Sequence, residues 1–372
     1  MITLADVQTQ SHWVLGLSFF LAVLAGGVLH RSHFCTMGAL SDIFLMGSGT
    51  RLRQWVLTVA VAILGFGAMA GLGLISPQNT IYANTSLSFV SLGLGGLLFG
   101  SGMVLASGCI SKSLTRLGAG NLKSLVVLLV VGVSALATMR GLPAVWRVHA
   151  LDPISLPLSH GAFVGQWVTH WTGWTLASAS GVSAGFVGAL LLLWVFKDAS
   201  FRSWRDAWPG LAVGSCVVVA WWVSGVLGFV SEHPETLDTV FLTTASARME
   251  AISMTAPVAL WWDAWMYFSD GSKRLTLGMV WVPGLILGSF LSASHEGSFR
   301  WEGFTQTPDL VSHLLGGVLM GVGGVLAMGC TFGQGLSGLS TLSWGSMLAV
   351  AGMVLGAWLT FQWQMRRAEA LA

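Results

Sequence analysis

Nine long runs of apolar residues without a charge set the limits on how this chain can fold. A helix needs about 20 such residues to cross the hydrocarbon core of a bilayer. Only 9% of the residues are charged, too few to cover the outside of a soluble protein. The chain is therefore expected to be an all-α polytopic membrane protein with about nine transmembrane helices. The runs are Trp13–Leu29, Trp55–Ile75, Leu87–Ala106, Leu125–Met139, Leu176–Phe196, Leu211–Val230, Leu277–Leu291, Leu314–Met328 and Met347–Leu359.

Two further apolar segments lie between the runs and are not predicted to cross the membrane. They are FCTMGAL at 34–40 and ISMTAPVALWWDAWMYF at 252–268. Irregular backbone at membrane depth must be buried in protein or line a wet cavity. We therefore predict short re-entrant or interfacial helices at these two places.

The basic residues predict the orientation of the chain. If the N-terminus lies outside the cell, 12 of the 17 Lys and Arg residues fall in the inside segments. Cytoplasmic loops of membrane proteins carry such an excess of Lys and Arg. The sequence therefore predicts an N-terminus outside and a C-terminus in the cytoplasm.

A long repeat divides the chain into two related halves. GGLLFGSGMVLASGC at 95–109 recurs as GGVLMGVGGVLAMGC at 316–330, with ten identical residues in fifteen at an offset of 221. The two segments lie in the third and eighth runs, five crossings apart, so they are expected to point in opposite directions. Inverted repeats of this kind are a recurring transporter design. We predict a first repeat at 1–141, a linker loop and central fifth span at 142–208, and a second repeat at 209–372.

Two stretches do not fit the minimal repeat. The second half carries an insertion near Glu232–Glu250, and a long loop occupies 142–172. The sequence assigns no role to either stretch.

The four cysteines differ in their surroundings. They are too few for a disulfide framework, and no Cys/His spacing suggests zinc. A single cysteine in a membrane helix usually packs as a small apolar residue, and we interpret Cys216 in this way. Cys109 and Cys330 each end the repeated helix and precede a loop of small polar residues, and Cys35 follows a basic cluster. These three are candidates for a function.

The segments around these three cysteines resemble a known family. HRSHFCTMGALSD, GSGMVLASGC and GVGGVLAMGCTFGQGLSGLS are together similar to the cysteine-bearing segments of the YeeE/YedE family of bacterial inner-membrane proteins, whose characterised members take up thiosulfate. The resemblance covers most of the chain. It implies an hourglass-shaped helical protein with pseudo-twofold symmetry. By motif match, it places Cys35, Cys109 and Cys330 along a central substrate path. It also implies a cytosolic sulfur-carrier partner of the TusA-like kind, besides membrane lipid.

The chemistry of thiosulfate suits such a path. Neutral thiols donate weak hydrogen bonds to its soft terminal sulfur, and backbone amides at helix ends and in glycine loops bind its sulfonate. Gly108, Ser111, Gly329, Thr331 and Gln334 flank the repeated cysteines and are the predicted backbone and small polar support. The sequence predicts no cofactor, no metal and no nucleic acid as a ligand.

Three alternatives remain open at the level of sequence. The first is a transporter of a related sulfur or selenium compound. The second is a membrane thiol enzyme in which Cys109 or Cys330 attacks the sulfur–sulfur bond, and the third is a passive channel or structural subunit. The sequence offers no base beside either cysteine, and we read Lys112 as a side chain that snorkels at the cytosolic mouth. Transport is therefore the favoured hypothesis.

Overall fold

The computed structural model describes residues 3–235, 237–271 and 274–371, so the outermost ends of the two predicted repeats, at 1, 2 and 372, lie outside it. The described residues form fourteen α-helices and two small hairpins. The helices are α1 Leu4–Ser32, α2 Thr36–Ser41, α3 Thr50–Gly71, α4 Phe89–Leu105, α5 Ile110–Gly118, α6 Leu122–Arg140, α7 Leu142–Ala150, α8 Val164–Thr172, α9 Leu176–Phe196, α10 Trp204–Trp222, α11 Thr255–Met266, α12 Leu277–His295, α13 Thr307–Leu326 and α14 Trp344–Leu371. The antiparallel hairpins pair β1 Ser86–Leu87 with β2 Leu156–Pro157, and β3 Phe229–Val230 with β4 Val240–Phe241.

Nine helices in the described part of the chain are long and apolar enough to cross a membrane. The prediction of an all-α polytopic membrane protein is therefore confirmed. Several helices run past the predicted spans: α1 begins at Leu4 instead of Trp13, and α14 ends at Leu371 instead of Leu359. The reason is that the hydrophobic pattern marks only the part in hydrocarbon, whereas a helix continues into the polar interface.

The segments between the spans are shorter helices. α2 continues into a π-helical turn at Asp42–Met46, and α11 has 12 residues, about 18 Å of helix at 1.5 Å per residue. That length is well below a bilayer core of about 30 Å. The long loop at 142–172 is also partly helical because it contains α7 and α8. The insertion near 232–250 contains β4, which pairs with β3 just before the insertion.

The helices pack in pairs that correspond under the 221-residue offset. α4 packs against α14, and α13 packs against α6. The offset relates α4 to α13 and α6 to α14, so the two pairs are counterparts. α4 and α13 also pack directly against each other, while α9, in the predicted linker, packs on α3. The duplicated helices therefore lie together at the centre of this packing.

Glycines allow α4 and α13 to touch backbone to backbone. A Cβ atom at Gly102 would lie 2.7 Å from the carbonyl oxygen of Gly316, and a Cβ atom at Gly316 would lie 2.7 Å from that of Gly102. A Cβ atom at Gly323 would likewise lie 2.7 Å from the carbonyl oxygen of Gly95. Small residues permit such close approach of membrane helices. The repeated glycines are therefore packing residues at the contact between the two copies.

Candidate functional site

The two repeated helices end in the same way. Ser107 after α4 has φ 55°, and Met328 after α13 has φ 56°, both in the left-handed region. The amide of the next residue, Gly108 or Gly329, donates to the carbonyl five residues earlier at 2.8 Å in both copies. This bond pattern is the Schellman motif, which satisfies carbonyls left open at a helix end. The duplicated sequence therefore produces a duplicated helix termination.

Each termination is followed directly by one of the repeated cysteines. Cys109 is 1% exposed and precedes α5, and Cys330 is 0% exposed and precedes a π-helical turn at Gly333–Gly338. The sulfur of Cys330 accepts a hydrogen bond from the amide of Gly333 at 3.5 Å. Both thiols are thus held where a membrane helix breaks inside the protein.

Cys35 reaches the same place from a different element. The chain leaves α1 through His33, which has φ 50°, and Cys35 then caps α2 by accepting the amide of Gly38 at 3.4 Å. Its thiol lies beside that of Cys109, and Cys109 also lies against Thr331. The structure therefore brings together the first two predicted cysteines and the residue that follows the third.

Two aromatic neighbours support this arrangement. Phe34 precedes Cys35, and Phe332 follows Thr331, and their rings meet edge to face with centroids 6.4 Å apart. Both rings are buried. Aromatic pairs of this geometry add to the stability of a packed contact. The segment after α1 and the segment after α13 are thus fixed against each other.

Two basic side chains on α5 accompany the thiol pair. The charge of Lys112 acts on both Cys35 and Cys109, and that of Arg116 acts on Cys35. Arg116 also donates through Nη1 to the carbonyl of Ser107 at 2.8 Å. The interpretation of Lys112 as a side chain that snorkels at the cytosolic mouth did not include this effect of its charge on the two cysteines. The signal was its position three residues after Cys109, which places it one helical turn further along α5.

Two of the predicted supporting residues keep an unused polar atom. Ser111 and Gln334 are each 2% exposed, and the Oγ of Ser111 and the Oε1 of Gln334 have no partner among the described residues. The amide nitrogen of Gln334 donates to Ala327 at 2.7 Å. A buried polar atom without a partner costs about 1–3 kcal/mol. These atoms are therefore available to an ion or to water.

A cavity of about 40 Å³ opens next to this region on the side of Tyr82. Gln334, Asn84 and Ser346 are among its polar lining residues. The hydroxyl of Tyr82 donates to the carbonyl of Gly333, three residues after Cys330. Sequence reasoning did not find Tyr82 or Asn84, since neither belongs to the repeat or to a recognisable motif.

The fourth cysteine lies elsewhere. Cys216 is in the middle of α10, is 8% exposed, and belongs to the apolar core. This placement agrees with its interpretation as a packing residue. Within the part of the chain that the structure describes, no cluster of three or more His, Cys, Asp or Glu side chains is arranged to hold a metal ion.

Comparisons with known proteins point to one family. A family profile described as Sulphur transport matches residues 31–359. A thiosulfate transporter, TsuA, of Spirochaeta thermophila is 29% identical over 349 residues, which are 92% of this chain and 97% of the relative. The Escherichia coli protein of the same name is 26% identical over 353 residues, 91% of each chain.

A shorter match involves a third relative. The probable transporter YedE of Salmonella typhimurium is 30% identical over 95 residues, 26% of this chain and 22% of the relative. The two longer matches each cover more than nine-tenths of this chain.

Proposed function

This chain belongs to the sulphur transport family, and we propose that it carries thiosulfate across a membrane that its apolar helices span. The resemblance inferred from the cysteine segments is thereby confirmed. Two relatives that align over more than nine-tenths of the chain are named as thiosulfate transporters. The family and these relatives are transporters, so the chain is assigned as a transporter and not as an enzyme.

The proposed path runs through Cys35, Cys109 and Cys330. The observation that carries it is the meeting of Cys35, Cys109 and Thr331 at the ends of the duplicated helices, beside the unused oxygen of Gln334. Thiols offer weak donors to the terminal sulfur of thiosulfate. Hydroxyl groups and helix-end amides serve the sulfonate. Several weak sites in series allow an ion to bind and also to leave.

The basic side chains and the cavity are the basis for a proposed direction of transport. Lys112 and Arg116 belong to α5, and their charges act on Cys35, whereas the cavity near Tyr82 is lined by Gln334 of the turn after Cys330. We propose that thiosulfate enters past Tyr82 and leaves past Lys112. This assignment goes with an N-terminus outside, a C-terminus in the cytoplasm and a location in the bacterial inner membrane. A TusA-like sulfur carrier would then receive the ion at the α5 side.

In this proposal, both halves contribute cysteines to the path. The repeat at 1–141 supplies Cys35 and Cys109, and the repeat at 209–372 supplies Cys330, with 142–208 as the linker. The equivalent terminations of α4 and α13 support a common origin of the two halves, but the halves do not carry the same cysteines. Cys35 corresponds to Ala256 in the second half, so the third thiol has no counterpart.

Uptake by liposomes containing the purified protein tests the proposal. Cys109→Ala or Cys330→Ala is expected to abolish uptake of labelled thiosulfate, and Cys35→Ala is expected to reduce it, because each change removes a donor from the path. Cys216→Ala is the matched control and should transport at the wild-type rate. Gel filtration verifies that each variant is folded. Wild-type uptake by Cys109→Ala refutes the thiol path, and sulfite release with retained sulfur instead of uptake refutes transport.

A further inference from the structure

We propose that the cavity between the α5–α6 loop and the α12–α13 loop is a second anion site, where Arg116 and Arg300 bind a divalent tetrahedral oxyanion such as sulfate or thiosulfate. The cavity is separate from the one near Tyr82 and has a volume of about 380 Å³. A water molecule takes about 30 Å³ in the liquid, so the cavity has room for such an ion with part of its hydration shell. Binding in the cavity is independent of the proposed function, and only its part in uptake rests on that function.

The two loops that enclose the cavity come from the two halves of the chain and are joined through their backbones. The amide of Arg300 donates to the carbonyl of Ala119 at 3.1 Å, and the amide of Glu302 donates to that of Gly120 at 3.2 Å. In return, the amide of Leu122 donates to the carbonyl of Glu302 at 2.8 Å. These bonds hold the backbone of Arg300 beside the end of α5, and its side chain lines the cavity.

The acidic side chains in the cavity have partners of their own. Asp309 binds Lys123 at 2.7 Å and His313 at 3.0 Å, and Glu302 accepts the side-chain amide of Asn121 at 2.8 Å. All five residues line the cavity. Each carboxylate therefore already has a donor within the cavity wall.

Two arginines in the cavity have no acidic partner. Among the described residues, neither Arg116 nor Arg300 forms an ion pair with a carboxylate, and Arg116 donates instead to the uncharged carbonyl of Ser107 at 2.8 Å. A guanidinium group is a planar fork of donors that binds oxyanions through two hydrogen bonds at once. An oxyanion between the two arginines would compensate positive charge that the protein itself leaves unbalanced.

Arg116 connects the cavity to the proposed path. Its Nη1 atom is bound to the carbonyl of Ser107 in the turn after α4, and a Cβ atom at Gly108 would lie 3.7 Å from the same nitrogen. Cys109 is the next residue in the chain. An ion that leaves the thiols therefore meets the guanidinium group of Arg116 first and then that of Arg300. With both loops on the side proposed to be cytoplasmic, the cavity is the last station before the cytosol.

Equilibrium dialysis of the purified full chain against radiolabelled sulfate tests the site. We expect saturable binding by the wild type, and a loss of affinity of about tenfold in Arg300→Gln, because the change removes charged donors to the ion. Arg300 is the better target because Arg116 also holds the turn after α4. Arg366→Gln is the matched control, since Arg366 is an exposed arginine of α14 outside the cavity, and gel filtration verifies folding. Absence of binding by the wild type, or equal affinity in Arg300→Gln, overturns the site.

Competition separates the cavity from the thiol path. Unlabelled thiosulfate is expected to displace the sulfate from the wild type and from Cys109→Ala alike, because that variant changes the thiol path and leaves the cavity intact. Chloride at the same ionic strength should displace much less of it, since a monovalent ion gains less from two guanidinium groups. Failure of thiosulfate to displace sulfate overturns the assignment of a common oxyanion site.

Uptake into liposomes tests whether the ion arrives through the path. Arg300→Gln is expected to slow thiosulfate uptake about threefold, because a weak station beyond the thiols helps the ion to leave them, whereas Arg366→Gln should keep the wild-type rate. An unchanged rate in Arg300→Gln overturns the place of the cavity on the path and makes the solution on that side the source of the ion. If the wild type carries no thiosulfate, the proposed function fails, but the sulfate measurement still decides whether the cavity is an anion site.

Discussion

Tyr82 is the side chain that connects the loop after α3 to the turn after Cys330. Its hydroxyl is buried and donates to the carbonyl of Gly333. Burial raises the pKa of Tyr82 above its usual value, so the phenol remains a neutral donor at physiological pH. Its ring also meets Trp221 edge to face at 6.3 Å. Tyr82 therefore holds the turn that positions Cys330.

Tyr82→Phe is expected to destabilise the protein and weaken its affinity for thiosulfate. The change leaves the Gly333 carbonyl without its donor, at a cost of about 1–3 kcal/mol, and frees the turn beside Cys330. Thermal unfolding in detergent and the KM of uptake measure the two effects. Tyr267→Phe is the matched control because Tyr267, the only other tyrosine, is 54% exposed. Equal midpoints and KM values for both variants would contradict this role of Tyr82.

Glu250 gives the loop between α10 and α11 a pH dependence. Its carboxylate accepts the amide of Ser246 at 2.8 Å, and burial raises its pKa above the usual value of 4.5. A raised pKa means that the folded protein binds the proton more tightly than the unfolded chain. The contribution of this group to stability is thus complete below the unfolded pKa and is lost as the pH rises through the folded pKa.

Glu250→Gln is therefore expected to make stability less dependent on pH. The wild type should lose stability relative to this variant as the pH rises above about 4.5. Unfolding midpoints measured from about pH 4 to pH 8 show the difference as a change of slope. Glu232→Gln, an exposed residue of the same loop, should leave the slope unchanged. A parallel shift of the whole Glu250→Gln curve would refute the assignment.

The sequence predicted the repeated residues of the candidate site but few of its other residues. Cys109 and Cys330 were recognisable because the duplication preserved their surroundings, and Thr331 and Gln334 followed from their position. Tyr82 and the contact of Cys35 with Cys109 depend on long-range packing, which no local pattern encodes. The sequence shows that Lys112 is charged, but it does not show that this charge acts on Cys35 and Cys109.

At the scale of elements, the contact between α4 and α13 depends on the absence of side chains. Gly102→Val would place a branched side chain against the Gly316 backbone, where even a Cβ atom has only 2.7 Å. Overpacking of this kind costs about 1–3 kcal/mol. We expect a lower unfolding midpoint and reduced uptake. Gly93→Val on the same helix is the control, because a Cβ atom there meets nothing within 4 Å, and an equal loss in both variants would exclude the close contact as the cause.

The membrane helices were predictable, but several shorter elements were not. Long charge-free runs identify the spans because hydrocarbon excludes charge, and this signal gave nine. α7 and α8 contain Trp, His, Thr and Arg and lack such a run, so the sequence indicated only a loop at 142–172. The ends of α1 and α14 were missed for the same reason.

At the scale of the whole molecule, the topology has a direct test. Because 12 of the 17 basic residues fall on one side of a chain with nine spans, a reporter fused after the last residue is expected to be active in the cytoplasm. The paired measurement uses one reporter that works only in the cytoplasm and one that works only outside it. Activity of the outside reporter would overturn both the orientation and the direction proposed for uptake.

The reciprocal glycine contact between α4 and α13 has a consequence for how the two halves diverge over time. Gly102 is confined by the backbone at Gly316, and Gly316 by the backbone at Gly102, so a larger residue at either position is penalised by the other copy. Gly323 is confined in the same way by the backbone at Gly95, whereas Cys35 and Ala256, which correspond under the offset, have become different. Sequence drift between the copies is therefore slowest where they touch. The duplication therefore stays recognisable in the sequence at this contact, because a larger residue in one copy is penalised by the backbone of the other.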